Sequence, residues 1–101
     1  MTARIIIDCD PGVDDALAIL LAAGVPELDV VALTTVAGNQ TLAKVTENAR
    51  RIAAAAGLDL PIAAGCDRPL VREQVLAGEI HGDTGLGDVR WPDPLRELDP
   101  R

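Results

Sequence analysis

Three short runs of β-forming residues, Ile5–Ile7, Leu28–Val36 and Pro61–Ala64, alternate with two helix-patterned stretches, residues 14–23 and 41–56. This alternation narrows the choice of fold more than any other feature of the chain. Strands joined through helices lie parallel, because a parallel pair needs a long crossover and a helix supplies it. Each run also ends at a glycine-bearing turn: Pro11-Gly12, Ala37-Gly38-Asn39, then Gly65.

The order is therefore β-α-β-α-β. With right-handed crossovers it forms the start of a doubly wound, Rossmann-like parallel α/β sheet that is incomplete. Asp8, Gly38 and Gly65 would then fall on one edge of the sheet. Ile5-Ile6-Ile7 has no polar alternation, as expected of a strand buried on both faces. The first helix is apolar almost all round from Ala16 to Ala23 and needs cover on both sides. Gly24 is its expected cap, with Pro26 beyond it. In the second helix Leu42, Val45, Ala49, Ile52, Ala53 and Ala56 form one stripe. Lys44, Glu47, Arg50 and Arg51 lie mostly off it, on a solvated face, and Gly57 closes the helix.

After Gly65 the periodicity fails. A short helical turn is expected around 73–77 and a glycine-rich loop at 81–88. The tail, 89–101, contains Pro92, Pro94 and Pro100 and has no period. Residues 66–101 thus read mostly as loop, and the chain reads as cut short in a linker.

Hydrophobic residues make up 49% of the 101 positions, yet Trp91 is the one aromatic, so Ala, Val, Ile and Leu must build the core. Such a core suits helices packed closely on a sheet. A net charge of −7 repels phosphate backbones and anionic lipid, which argues against nucleic acid or membrane as partners. Cys9 and Cys66 form no C-x-x-C pair, Asp8 interrupts any leader-like start, and no apolar run is long enough to span a bilayer. Two reduced thiols in a cytoplasmic protein are the expectation.

Between the first strand and the first helix lies Asp8-Cys9-Asp10-Pro11-Gly12-Val13-Asp14-Asp15-Ala16, with four carboxylates in eight residues. So many like charges are costly together unless a cation is shared among them. Asp8 and Asp10, two apart on extended backbone, aim the same way. Asp14 and Asp15, adjacent in a helical turn, diverge by about 100°. One can face a metal shared with Asp10 while the other faces a ligand. Asp14 and Asp15 could instead merely cap the helix and complement its dipole, but a strand end has no such need of Asp8 and Asp10. The twelfth-position Glu of an EF-hand loop is missing. Asp-x-Asp after a first strand also occurs in haloacid-dehalogenase-like phosphatases, an alternative weakened by Gly12 and by the unexplained Asp14-Asp15 doublet.

The same nine residues resemble the signature of the inosine/uridine-preferring nucleoside hydrolase family. Thr34-Thr35-Val36-Ala37-Gly38-Asn39, followed by Asn48-Ala49, is similar to a second family segment, and His81-Gly82-Asp83-Thr84-Gly85-Leu86-Gly87 to a third. The three occur in family order. The resemblance implies Ca2+-dependent hydrolysis of the N-glycosidic bond of ribonucleosides to ribose and free base. Asp10 and Asp15 would be metal ligands, with Asp10 also taking the proton from the metal-bound water. Asp14 would bind ribose hydroxyls, Asn39 would lie beside the ribose, Asp8 would support the site, and His81 would sit on a mobile loop near the base.

Plainer roles remain beside these. Asn39 could be the N-cap of the second helix. His81 could be an exposed loop residue, Asp83 and Asp88 could satisfy local turns, and Cys9 could be a small buried space-filler. Family enzymes are much longer, and their remainder supplies more sheet, further metal ligands and a second His. The chain is thus expected to be the N-terminal portion of a hydrolase domain, with little activity alone. A non-catalytic cation- or ribose-binding module of the same ancestry is the alternative. A second copy or the absent second half would cover its open sheet edge.

Overall fold

The computed structural model describes residues 2–67, 71, 92–94, 98 and 99. The expected turn at 73–77, the loop at 81–88 and His81 within it lie outside the described residues. The elements follow the expected order: β1 (Ala3–Cys9), α1 (Val13–Gly24), β2 (Leu28–Thr35), α2 (Leu42–Ala56) and β3 (Ile62–Ala64). The three strands form one parallel sheet in the order β1-β2-β3. Because the order advances in one direction, right-handed crossovers place both helices on the same face, where α1 and α2 pack against each other.

The register brings the three carboxyl ends level. Cys9 pairs with Thr35, and Thr35 with Ala64. The mesh continues past the strands through Val36 N–H to Cys9 O, Ala37 N–H to Cys66 O and Gly65 N–H to Thr35 O. Gly65 is required there, since a Cβ would meet Thr35 O at 2.5 Å. One irregularity interrupts the β1–β2 ladder: Ile5 pairs with Val30 and Ile6 with Ala32, leaving Val31 as an extra residue.

The core lies between the sheet and the helices. Ile19 from α1, Leu33 from β2, and Val45 and Ile52 from α2 are fully buried. Each contributes about 1.5–3 kcal/mol of burial. Ala16 and Ala22 on one helix, and Ala49 and Ala53 on the other, are also buried, and their small side chains let the layers approach closely.

Four expectations need correction. Ile6 is 62% exposed, because both helices lie on the opposite face and nothing described covers its own. Leu17 and Leu21 are likewise exposed, so among the described residues α1 has cover on one side only. Gly24 is the last helical residue, and Val25 takes the cap position in extended backbone. Arg50 and Arg51 are half-buried rather than fully solvated. Both pair with Glu47, and Arg51 reaches the tail at Pro92 O and Asp93.

Gly57 does close α2, at φ 72°, receiving the chain in the left-handed conformation that favours glycine. In the tail Asp99 bridges Ala63 in parallel, its N–H donating to Ile62 O, so β3 is not bare at that point. Among the described residues no helix is long and apolar enough to cross a membrane.

Candidate functional site

Beyond β1 the chain turns into α1 through Asp10, Pro11 and Gly12, and this turn carries the site. Asp10 is held from two directions. Asn39, in the β2–α2 loop, donates its backbone N–H to Asp10 Oδ2 and its Nδ2 to Asp10 O, both at 2.9 Å. From the other side Asp10 donates its own N–H to Asp15 Oδ2 at 3.1 Å. Gly38 packs directly on the Asp10 carboxyl, where any Cβ would collide with it. The glycine of the Ala37-Gly38-Asn39 turn is thus there for close approach.

Three of the residues singled out in the sequence therefore meet: Asp10, Asp15 and Asn39. Asn39 is not the N-cap of α2. That place belongs to Thr41, whose hydroxyl accepts from the Lys44 N–H, which frees Asn39 for the acidic turn. Asp15 also has a use other than capping its helix, since its Oδ2 receives the Asp10 amide, while the N-cap Gly12 has no side chain. Asp14 is exposed in the first turn of α1. Asp8 stands one strand position apart from Cys9, on the open face of the sheet, where its Oδ1 accepts the hydroxyl of its cross-strand partner Thr34 at 2.8 Å.

Charge in the turn is one-sided. Burial, first, raises the pKa of the Asp15 carboxyl above its ordinary 3.8. Contact with the Asp10 carboxyl and the charge of Asp10 add to this, the Asp10 amide opposes it, and Asp14 contributes a further push upward. Among the described residues, the side-chain charges acting on Asp15 are thus those of other acids. Cys9 responds in the same way. Burial, then Asp15, Asp8 and Asp10, push its thiol up to about 12, so it stays protonated and donates weakly to Thr34 O at 3.4 Å. Cys9 is a buried space-filler and no nucleophile.

Two carboxylates in contact, with no counter-charge beside them among the described residues, are hard oxygen donors that fit a hard cation. They also make an incomplete set. Ca2+ takes about six to eight oxygens, and among the described residues no group of three or more His, Cys, Asp or Glu is arranged to hold a metal.

One residue of the site was quoted in the sequence only as part of the second family segment and was given no role. Asn48 is buried on α2 and donates Nδ2 to Pro11 O at 3.1 Å. Its signal was its spacing, three residues after Val45 and four before Ile52, which places an amide on the apolar stripe. Thr46 is a second buried polar group of α2, bonded at 2.7 Å to Thr35 at the end of β2.

The fold and turn together define a class: a parallel α/β protein with a carboxylate pair at the carboxyl edge of its sheet, where such folds bind ligands. The family model for inosine-uridine preferring nucleoside hydrolase matches residues 5–101, and the chain belongs to that family. It is 61% identical over 93 residues to the inosine-uridine preferring nucleoside hydrolase of Crithidia fasciculata, covering 91% of this chain and 30% of that protein. It is 54% identical over 103 residues to the inosine-uridine preferring nucleoside hydrolase of Leishmania major, covering 100% of this chain and 33% of that one. Among solved structures it superposes on a purine-preferring ribonucleoside hydrolase from Gardnerella vaginalis with a TM-score of 0.89 and 32% identity, over 98% of this chain and 33% of that one. The chain thus spans about a third of the length of the relatives it matches. Family membership displaces the haloacid-dehalogenase-like alternative.

Proposed function

We propose that this chain is the N-terminal portion of a Ca2+-dependent ribonucleoside hydrolase, contributing part of the metal shell and part of the ribose site, with little turnover alone. The observation that carries the proposal is the convergence of Asp10, Asp15 and Asn39 on one turn at the carboxyl edge of the sheet. Asp10 and Asp15 would hold the cation. When bound, Ca2+ supplies a water of lowered pKa and a docking point for sugar oxygens.

The remaining chemistry belongs to the protein's own groups. Asp10 accepts the proton of the attacking water, a role suited to a carboxylate fixed by two neighbours. Asp14, exposed beside the pair, accepts hydrogen bonds from ribose hydroxyls. Asn39 keeps its Nδ2 on the Asp10 carbonyl and offers its amide oxygen to the sugar. Asp8, tied to Thr34, supports the end of β1. His81 assists by protonating the departing base. Departure of the base leaves an oxocarbenium-like sugar, and anionic carboxylates around it favour that state over the neutral substrate.

The half-site sets the expected result. Incubated with inosine or uridine and Ca2+, the purified chain releases little or no ribose in a reducing-sugar assay. Robust turnover by the chain alone would overturn the reading of an incomplete shell.

A further inference from the structure

We infer that Asn48 is a positioning residue, which transmits the rigidity of the α2 core to the spacing between Asp10 and Asp15. The inference rests on the proposed reading of that pair as cation-facing.

The turn from β1 to α1 is three residues long, and each of its carbonyls has a different holder. Asp10 O accepts from Asn39 Nδ2 at 2.9 Å, Pro11 O from Asn48 Nδ2 at 3.1 Å, and Gly12 O from the Ala16 N–H at 3.1 Å. The outer two bonds come from the adjoining loop and from α1 itself. The middle one comes from α2, 37 residues away in sequence, and from a side chain only 5% exposed. Pro11 has no N–H and is fully buried, so its carbonyl is the one backbone group by which its neighbours can fix it.

Asn48 itself has little freedom. It stands between Val45, Ala49 and Ile52, all fully buried, on the best-packed face of the helix. An amide fixed there sets the plane of the Pro11 peptide. That plane in turn fixes the direction in which the chain leaves Asp10 and enters the turn bearing Asp15. Residues that orient ligands without touching the ion commonly change affinity by about ten- to hundredfold when removed.

Purely structural service, satisfying one buried carbonyl, is the competing role, and Thr46 separates the two. It is buried on the same helix, and its hydroxyl bonds to Thr35 at the end of β2 instead of to a carbonyl of the turn. Asn48→Ala, Asn48→Ser and Thr46→Val are compared in the metal-free chain by amide hydrogen exchange. The probe is the Asp10 N–H, which donates to Asp15 Oδ2.

In the Asn48 variants that amide is expected to exchange about tenfold faster, the change one hydrogen bond of this class supports, while amides along α2 keep their protection. Ca2+ affinity by calorimetry falls about tenfold or more. Thr46→Val leaves both readouts at wild-type values. An unchanged Asp10 amide in a folded Asn48 variant, or equal Ca2+ affinity in variant and wild type, overturns the inference while leaving the cation reading intact. Unfolding of both Asn48 variants also overturns it, because the residue would then hold the fold rather than the site. If wild type takes up no Ca2+ yet the Asp10 amide responds, the cation reading falls and the positioning role stands.

Discussion

The two helices of this chain are built to different ends. α2 is finished on every side: Thr41 caps its start, Gly57 its end, a stripe from Val45 to Ala53 is buried, and Glu47 pairs with Arg50 and Arg51 on the outer side. α1 starts at a glycine with no side-chain cap, concentrates Asp14 and Asp15 in its first turn, and leaves Leu17 and Leu21 open. One helix anchors the domain. The other presents charge at its start and apolar surface along its length, which suits an element awaiting both a ligand and further cover.

The contrast should break first in stability. Ile52→Ala empties a fully buried site and is expected to cost about 2–5 kcal/mol in urea unfolding. Leu17→Ala, on an exposed face, should stay within about 0.5 kcal/mol of wild type. Comparable losses from the two would mean that α1 is covered in solution. Thr41→Ala tests the finished start of α2. Its cap bond is long, 3.4 Å, and exposed, so a loss near the low end of the capping range, about 0.5–1 kcal/mol, is expected by the same measurement.

The smallest effect has the opposite sign. Because the pKa of Asp15 is raised in the folded state, the native chain binds its proton more tightly than the unfolded chain does. The group's contribution to stability therefore falls as pH rises from its ordinary 3.8 through the folded value, and stays low above it. Asp15→Asn should remove that slope and slightly stabilise the metal-free chain at neutral pH while abolishing Ca2+ uptake. Guanidinium melts at stepped pH check the first part. A variant less stable than wild type at neutral pH would mean that the Asp15 carboxylate stabilises the turn without a cation.

Much of this architecture was legible from the residues. Local signals marked the elements: β-branched runs, an amphipathic stripe and Gly57 placed every strand and helix to within about two residues, the precision such signals allow. That the acidic turn after Asp8 and the turn at Gly38-Asn39 share one edge of the sheet followed from the parallel topology. What escaped depends on the tertiary arrangement. Ile6 reads as buried, yet its cover is not among the described elements. Asn39 could read as the cap of α2, and only the geometry of the turn decides that Thr41 caps while Asn39 holds Asp10. The extra residue at Val31 and the Asp99 bridge arise from strand pairing, which no local pattern encodes.

The central claim is that Asp10 and Asp15 form part of a cation shell. Calorimetric titration of Ca2+ into the purified chain, beside Asp10→Ala, tests it directly. Wild type is expected to take up Ca2+ weakly, and Asp10→Ala not at all. Tight binding untouched by the loss of Asp10, or no uptake by wild type, would contradict it.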